Sequence, residues 1–420
     1  MGPVARYRIS SSSLTRVAVA LAIIAAFGLV LLGPTGKGRP EAPGLSTFEG
    51  IYTATVERLT RGPCAGAEGA AVRCISATFR LVEGPDLGTT TAVELPADSP
   101  RAASVAIGDR VLLGHQPQVE GFEYVFVERD RRSSLVLLAG LFAAAVIALG
   151  RWRGLTALIG LAATIAVLFW FVVPAILEGR DPLAVSLVGA VAMAFAALYL
   201  SHGFAMRTTV ALVGTIGGLL VAAILAVVFM QVARITGLAS EEALVLAAVG
   251  SDIDLRGLIL GGMMIGALGA IDDMTVTQVS AVWELREANP RASPSRLTKV
   301  GMRIGRDHVA STVNTLVLAY AGASMPLLIL FVLSDQGAGS VANGEIVATE
   351  IVRTLVGSIG LVASVPIATV LAAHVAPPAV SGAEAPPPTQ VKGPEEHAIP
   401  DRRRDVLIAW LRNQRGTGKD

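Results

Sequence analysis

The hydrophobic pattern divides the chain into two kinds of territory. Long apolar runs occur near 17–33, 135–150, 154–175, 183–201, 209–232, 257–278, 308–333 and 350–375. Runs approaching about 20 apolar residues match the thickness of a bilayer's hydrocarbon core. Between the first and second runs the pattern changes. Short stretches at 52–56, 74–82, 89–95, 110–113 and 123–127 are rich in β-branched and aromatic residues. Turn residues separate them: Gly62-Pro63, Gly84-Pro85-Asp86, Gly108-Asp109 and Gly121. Five or six short strands in so compact a segment predict a small β-barrel or sandwich. The expected fold is a polytopic α-helical membrane protein of about eight transmembrane helices. A small extracytoplasmic β-rich domain, residues 46–132, is inserted after the first span. The helical bundle occupies 135–375, with a cytoplasmic loop at 283–307.

Composition agrees. The chain of 420 residues is 53% hydrophobic and 16% charged, against about 25% charged in soluble domains. A net charge of +1 says nothing about nucleic acid, but no basic stripe interleaved with aromatics appears, so no nucleic-acid partner is expected. The partner expected first is the lipid bilayer. Residues 1–16 are basic (Arg6, Arg8, Arg16) and precede the first apolar run, as in a signal sequence or a signal anchor. The anchor is preferred, because no small-x-small cleavage site precedes the Pro/Gly stretch at 33–36. The two cysteines, Cys64 and Cys74, both lie in the β-rich segment. Outside the cytoplasm they are expected to form a disulfide closing a short loop, the alternative being two free thiols.

Lysine and arginine counts orient the bundle. The loop after Trp283 carries Arg286, Arg291, Arg296, Lys299, Arg303 and Arg306, whereas 334–350 carries neither residue type. Both termini are therefore expected inside and the β-rich segment outside, with Arg129, Arg131 and Arg132 as exceptions. Residues 235–254 are apolar only briefly and read as an interfacial or re-entrant piece. Basic residues alternate with Leu297, Val300 and Ile304, which predicts a helix lying on the membrane surface or packed under the bundle. The tail, 377–420, begins rich in Pro, Ala and Glu and is expected to be mostly disordered.

One stretch carries candidate chemistry. Only 15 apolar residues, 257–271, precede the adjacent acids Asp272 and Asp273. That is short of a full span, so both acids are expected within the bilayer thickness. An ionised, unpaired carboxylate there costs at least ~2.5 kcal/mol, and such groups commonly relay protons or coordinate ions. Gly262, Gly266, Gly269, Asp273 and Thr277 recur at steps of three and four and share one face. Glycines let a second helix approach closely. Asp273 is therefore expected on a helix-contact face as the principal proton- or cation-binding group. Asp272 is turned about 100° away and joins Leu268 and Thr275. The alternative is that the helix ends here and Asp272 caps an interfacial helix.

Past the basic loop, His308, Ser311, Thr312, Thr315, Ala319 and Gly322 share a helical face, with Asn314 offset from it. Both segments adjoin the same loop, so these polar groups are expected at the depth of the acids. Gly322 is expected to let the helices pack, and a hydroxyl or amide could then bond Asp273 or help coordinate a cation. The alternative is ordinary Ser/Thr contacts between membrane helices, worth about 0.6 kcal/mol each.

These motifs resemble a known family. The run GALGAIDDMTVTQ at 266–278, followed by GRDH at 305–308 and STVNTLVLAYAGA at 311–323, looks like the YibE/F family of bacterial membrane proteins. The resemblance covers 46 to about 374. It implies a bacterial plasma membrane location and carries no activity with it. A more distant resemblance is to SecF-type members of the RND permease superfamily. Those also have a first span, an extracytoplasmic domain and a bundle with an acid-bearing helix. They use membrane acids to couple proton flow to work outside. By that resemblance Asp273, or Asp272, would bind the proton. The chain departs from that pattern in its β-rich outer domain and in its extra spans near 135–175.

Two function classes follow. The first is a proton- or cation-coupled membrane transporter, or the energising subunit of an export system with a membrane or extracytoplasmic protein partner. The coupling ion would be a proton or a monovalent cation. The second is a membrane-anchored assembly or sensory protein whose β domain binds a ligand or partner. An enzyme is not expected. Aspartyl proteolysis needs acids on facing helices, and no Ser/His or Cys/His arrangement replaces them. No metal or cofactor is expected.

Overall fold

The computed structural model describes residues 11–36, 48–64, 73–99, 105–117, 123–248, 253–333 and 337–377. The chain divides into two units, Met1–Pro377 and Pro378–Asp420. The second unit lies outside the described residues, and with it the expectation of a disordered tail. Of the basic segment expected at 1–16, residues 1–10 also lie outside them, whereas Ser11 to Arg16 belong to the first helix.

The first helix, α1 (Ser11–Leu31), stops just before Gly33-Pro34. Five strands follow: β1 (Gly50–Pro63), β2 (Arg73–Leu81), β3 (Thr90–Pro96), β4 (Arg110–His115) and β5 (Tyr124–Arg129). They form one antiparallel sheet in the order β3-β2-β1-β4-β5. The long β1 pairs with β4 through Gly50 to Thr55 and with β2 from Ala54 onward. A bulge at Val56/Arg58 bends it, and the edge strands β3 and β5 approach each other. Alternate residues Ala54, Val56, Ala77, Phe79, Leu81, Val111 and Leu113 fill the concave side with a core of their own. Cys64 and Cys74 are joined as a disulfide. Tyr124 donates to Asp86 Oδ2 at 2.6 Å. Burial, then the neighbouring Asp86 carboxylate, holds its phenol above the ordinary range.

The helical region contains α2 (Arg132–Gly150), α3 (Trp152–Leu177), α4 (Pro182–His202) and α5 (Met206–Val232). It continues with α6 (Glu241–Ala248), α7 (Leu255–Ala288), α8 (Pro294–Ala323) and α9 (Met325–Leu333). It ends with α10 (Ala338–Asn343) and α11 (Glu345–Val375). Seven described helices are long and apolar enough to cross a membrane. The α8–α9 pair, bent by 62° before Pro326, makes up to eight. This is a multi-pass helical membrane architecture with a small sheet after the first helix. The segment at 235–254 holds the eight-residue α6, which has no buried residue.

Local chemistry sets the breaks. Arg151, at φ 52°, separates α2 from α3. Asp181 caps α4 by accepting from Ala184 N at 2.6 Å, with Pro182 in the first turn. Gly203, at φ 77°, ends α4, since an L side chain is strained there. Ser293 caps α8, again with proline in the first turn. Two carboxylates tie loops at the end of the bundle that carries Asp181. Glu178 accepts from Thr35 N and Gly36 N, which holds its carboxyl below the usual range. Glu345 accepts from Thr236 N and Gly237 N.

The core is built by α4, α5, α7 and α11. Its close approaches are made by small residues. A Cβ on Gly218 would stand 2.7 Å from Ser364 Cβ and 2.9 Å from the Gly360 carbonyl. On α7, a Cβ on Gly261 would stand 2.9 Å from Ser186 Cβ on α4. Gly301 and Gly305 bring α8 against Val282 and Gln278 of α7 and Thr369 and Val365 of α11. The basic segment at 296–304 is thus the first half of α8, packed under the bundle and continuous with the span that follows. Arg286, counted above as a loop cation, is buried within α7. It donates to the carbonyls of Ala292 at 2.6 Å and Ala373 at 3.3 Å.

Candidate functional site

Helix α7 runs unbroken for 34 residues. At ~1.5 Å per residue that is about 51 Å, longer than the ~30 Å hydrocarbon core. Asp272 and Asp273 fall at its midpoint, so the alternative in which the helix ends at Asp272 does not hold.

The two acids face different surroundings. Gly257, Gly261, Met264, Leu268 and Thr275 are buried along one stripe of α7, and Asp272 belongs to that stripe. Asp272 is half-buried. Thr215 of α5 donates to its Oδ1 at 3.4 Å, a long contact for two oxygens. Thr215 Oγ1 also lies 2.6 Å from Thr275 Oγ1, and Thr275 donates to the Asp272 carbonyl at 2.9 Å. Hydroxyls both donate and accept. This pair can therefore donate toward an ionised carboxylate or accept from a protonated one without moving the helices. The other side of Asp272 borders a groove of about 410 Å³ between α3, α4 and α7. Leu161, Thr164, Met193, Ala197, Ser201 and Leu268 are among its walls. A π turn at Leu168–Val172 within α3 borders it through Leu168.

Asp273 is exposed, and its carboxylate has no hydrogen-bond or ion-pair partner among the described residues. The expected contact face is corrected with it. A Cβ on Gly262 or Gly269 would meet nothing within 4 Å, and one on Gly266 would meet only the Tyr320 hydroxyl, at 3.2 Å. Gly322 on α8 is equally open. The glycines that pack α7 against α4 are Gly257 and Gly261, one position from the chosen face. A one-residue step on a helix is a rotation of about 100°.

The polar face of α8 is not brought to Asp272. The helix packs through Met302, Val309, Val313 and Leu316 against Ala267, Ile271, Met274, Leu361 and Val365. Ser311, Asn314 and Thr315 are exposed, and His308 and Thr312 are half-buried. The two threonine hydroxyls turn back on their own helix: Thr312 donates to the His308 carbonyl and Thr315 to the Ser311 carbonyl, both at 3.0 Å. Thr277 likewise donates to the Asp273 carbonyl at 2.8 Å.

Two polar groups missed in the sequence, Thr215 and Gln278, complete the interior beside Thr275, which was already placed on the face of Asp272. Thr215 and Thr275 hold Asp272. Gln278, fully buried, donates through Nε2 to the Gly301 carbonyl at 2.9 Å and to Thr369 Oγ1 at 2.7 Å. Its Oε1 has no partner. Gln278 lies in the run at 266–278, so its spacing from Asp272 was an available signal. Thr215 stands 57 positions away and had none.

A family model described as YibE/F-like protein matches residues 138–378, more than half of the chain. The chain belongs to the YibE/F-like family. The match begins within α2 and ends past α11, so the family region is the helical bundle and both acids lie inside it. The sheet precedes the YibE/F match. No curated protein and no solved structure matches the chain.

Proposed function

We propose that this YibE/F protein couples movement of protons, or of a monovalent cation, to work across the bacterial plasma membrane. It would act as a transporter or as the energising subunit of an export system. Asp272 is the ion-binding group. The observation that carries this reading is its position: a carboxylate at the middle of a long apolar helix, bordering a groove and held by the Thr215–Thr275 hydroxyl pair. An acid retained there is expensive, and its usual use is ion or proton movement. Asp273 is the lesser candidate, because no described side chain is placed to answer a change in its charge. The likeness to SecF-type permeases belongs to this proposal and rests on the sequence motifs alone.

In this reading both termini are cytoplasmic and the sheet is outside. Arg151, Arg153 and Arg207 gather at the same end of the bundle as the loop at 289–293, in support of that orientation. With Leu87→Cys and Arg291→Cys made separately, only the first should react with an impermeant thiol reagent on intact cells.

The functional test is proton flux in proteoliposomes. Wild type should carry flux above protein-free vesicles, and Asp272→Asn should return it to that background at equal incorporation. Equal flux in both would sink the reading. A second reading, a membrane-anchored assembly or sensory protein, is favoured by the self-contained core of the sheet. It predicts that deleting the sheet abolishes biological activity while Asp272→Asn leaves it intact.

A further inference from the structure

A second cavity, of about 240 Å³, lies between α3, α4, α5 and α7, towards the end of the bundle that carries the 289–293 loop. Arg153 of α3, His202 of α4, Arg207 and Thr208 of α5, and Val276 and Ser280 of α7 are among its walls. Its lining contains no acid. Arg153 and Arg207 have no acidic partner among the described residues, and both lie close enough to His202 to act on it electrostatically. Arg153 is exposed and Arg207 half-buried, and an anion in the cavity they line is attracted by both guanidinium groups.

The hydroxyl of Thr208 points the same way. Thr208 is 2% exposed, and its Oγ1 is buried with no hydrogen-bond partner. Other helical threonines here, including Thr209, Thr312, Thr315 and Thr369, donate back to a carbonyl of their own helix. Thr208 does not. A buried hydroxyl without a partner costs stability unless something bonds it. The third element is the start of α5. Its N-cap residue is Ala205, whose side chain cannot cap, so the first-turn N–H groups are left open beside Arg207 and Thr208. The N-terminus of a 27-residue helix favours negative charge.

We propose that this cavity binds a phosphate-type oxyanion, held by the Arg153 and Arg207 guanidinium groups, the Thr208 hydroxyl and the first turn of α5. His202 and Ser280 offer further donors. The same chemistry serves the phosphodiester of an anionic lipid and free inorganic phosphate. The site does not depend on any role for Asp272.

The test uses the full chain in nanodiscs of phosphatidylcholine, with two probes. One is inorganic phosphate, titrated at constant ionic strength and read by thermal unfolding. The other is phosphatidylglycerol mixed into the disc, read by lipid retained in native mass spectrometry. Binding of either probe that falls about tenfold or more in Arg153→Gln and Arg207→Gln supports the site. Phosphate binding identifies a soluble ligand, and retention of phosphatidylglycerol alone identifies a headgroup. Thr208→Val removes no internal hydrogen bond, so without ligand it should unfold at the wild-type temperature or above, yet bind about fivefold more weakly. Absence of binding by both probes, or binding unchanged in the arginine variants or in Thr208→Val, overturns the proposal.

Discussion

On one side of the middle of α7 stands Asp272, bonded by Thr215, backed by Thr275 and open to a groove between three helices. On the other stands Asp273, exposed on the side of Gly262 and Gly266, which touch almost nothing, while Gly269 borders the groove of Asp272. The two acids share a helix, a depth and a chemistry, and differ only in azimuth. An acid's usefulness in a membrane bundle therefore depends on what the neighbouring helices place opposite it. Here α5 supplies a hydroxyl to one acid, whereas Thr312 and Thr315 of α8 spend theirs on their own backbone.

The largest effect that would break this comparison comes from filling each face. Gly261→Val drives a side chain into Ser186 and the Pro182 carbonyl of α4. It should cost about 3 kcal/mol or more and sharply reduce folded protein in detergent. Gly262→Val and Gly269→Val add atoms where nothing lies within 4 Å. They should change stability by no more than ~0.5 kcal/mol. Equal losses on both faces would mean that the glycine row is covered in the membrane by something outside this chain, such as a second protein.

A smaller effect sharpens it. Thr215→Val removes the side-chain donor to Asp272 and should cost about 1 kcal/mol, while Thr277→Val, whose hydroxyl serves only the Asp273 carbonyl, should cost less. Thermal unfolding in detergent reads both. If Thr277→Val proves the costlier, the assignment of faces is reversed. The smallest effect belongs to α8. Thr312→Val and Thr315→Val should leave stability and flux near wild type, because both hydroxyls bond only carbonyls one turn back. Loss of flux in either would bring α8 into the site.

The reach of the sequence follows the same geometry. The strands at 52–56 and 74–82 were legible because their side chains alternate about a half-buried sheet, and the spans because apolar length needs no knowledge of neighbours. The adjacency of Gly261 and Gly262 left two glycine faces on α7, and helical spacing could not choose between them. The choice is made by Ser186 and Pro182 on α4, far away in the chain. The polar residues after His308 lie at a sensible depth, but Val309, Val313 and Leu316 win the contact with the bundle, because burying apolar groups leaves no polar group unpaired. Thr208 was passed over because an orphaned hydroxyl is visible only when the helices around it are in place.

The most direct measurement of the central claim sets the two acids against each other. Asp272→Asn and Asp273→Asn are both nearly isosteric and can be reconstituted side by side, with incorporation matched by immunoblot. Proton entry after an acid pulse is then followed with a trapped pH-sensitive dye. The account predicts flux at the level of empty vesicles for Asp272→Asn and at the wild-type level for Asp273→Asn. Wild-type flux in Asp272→Asn, with or without loss in Asp273→Asn, would contradict it.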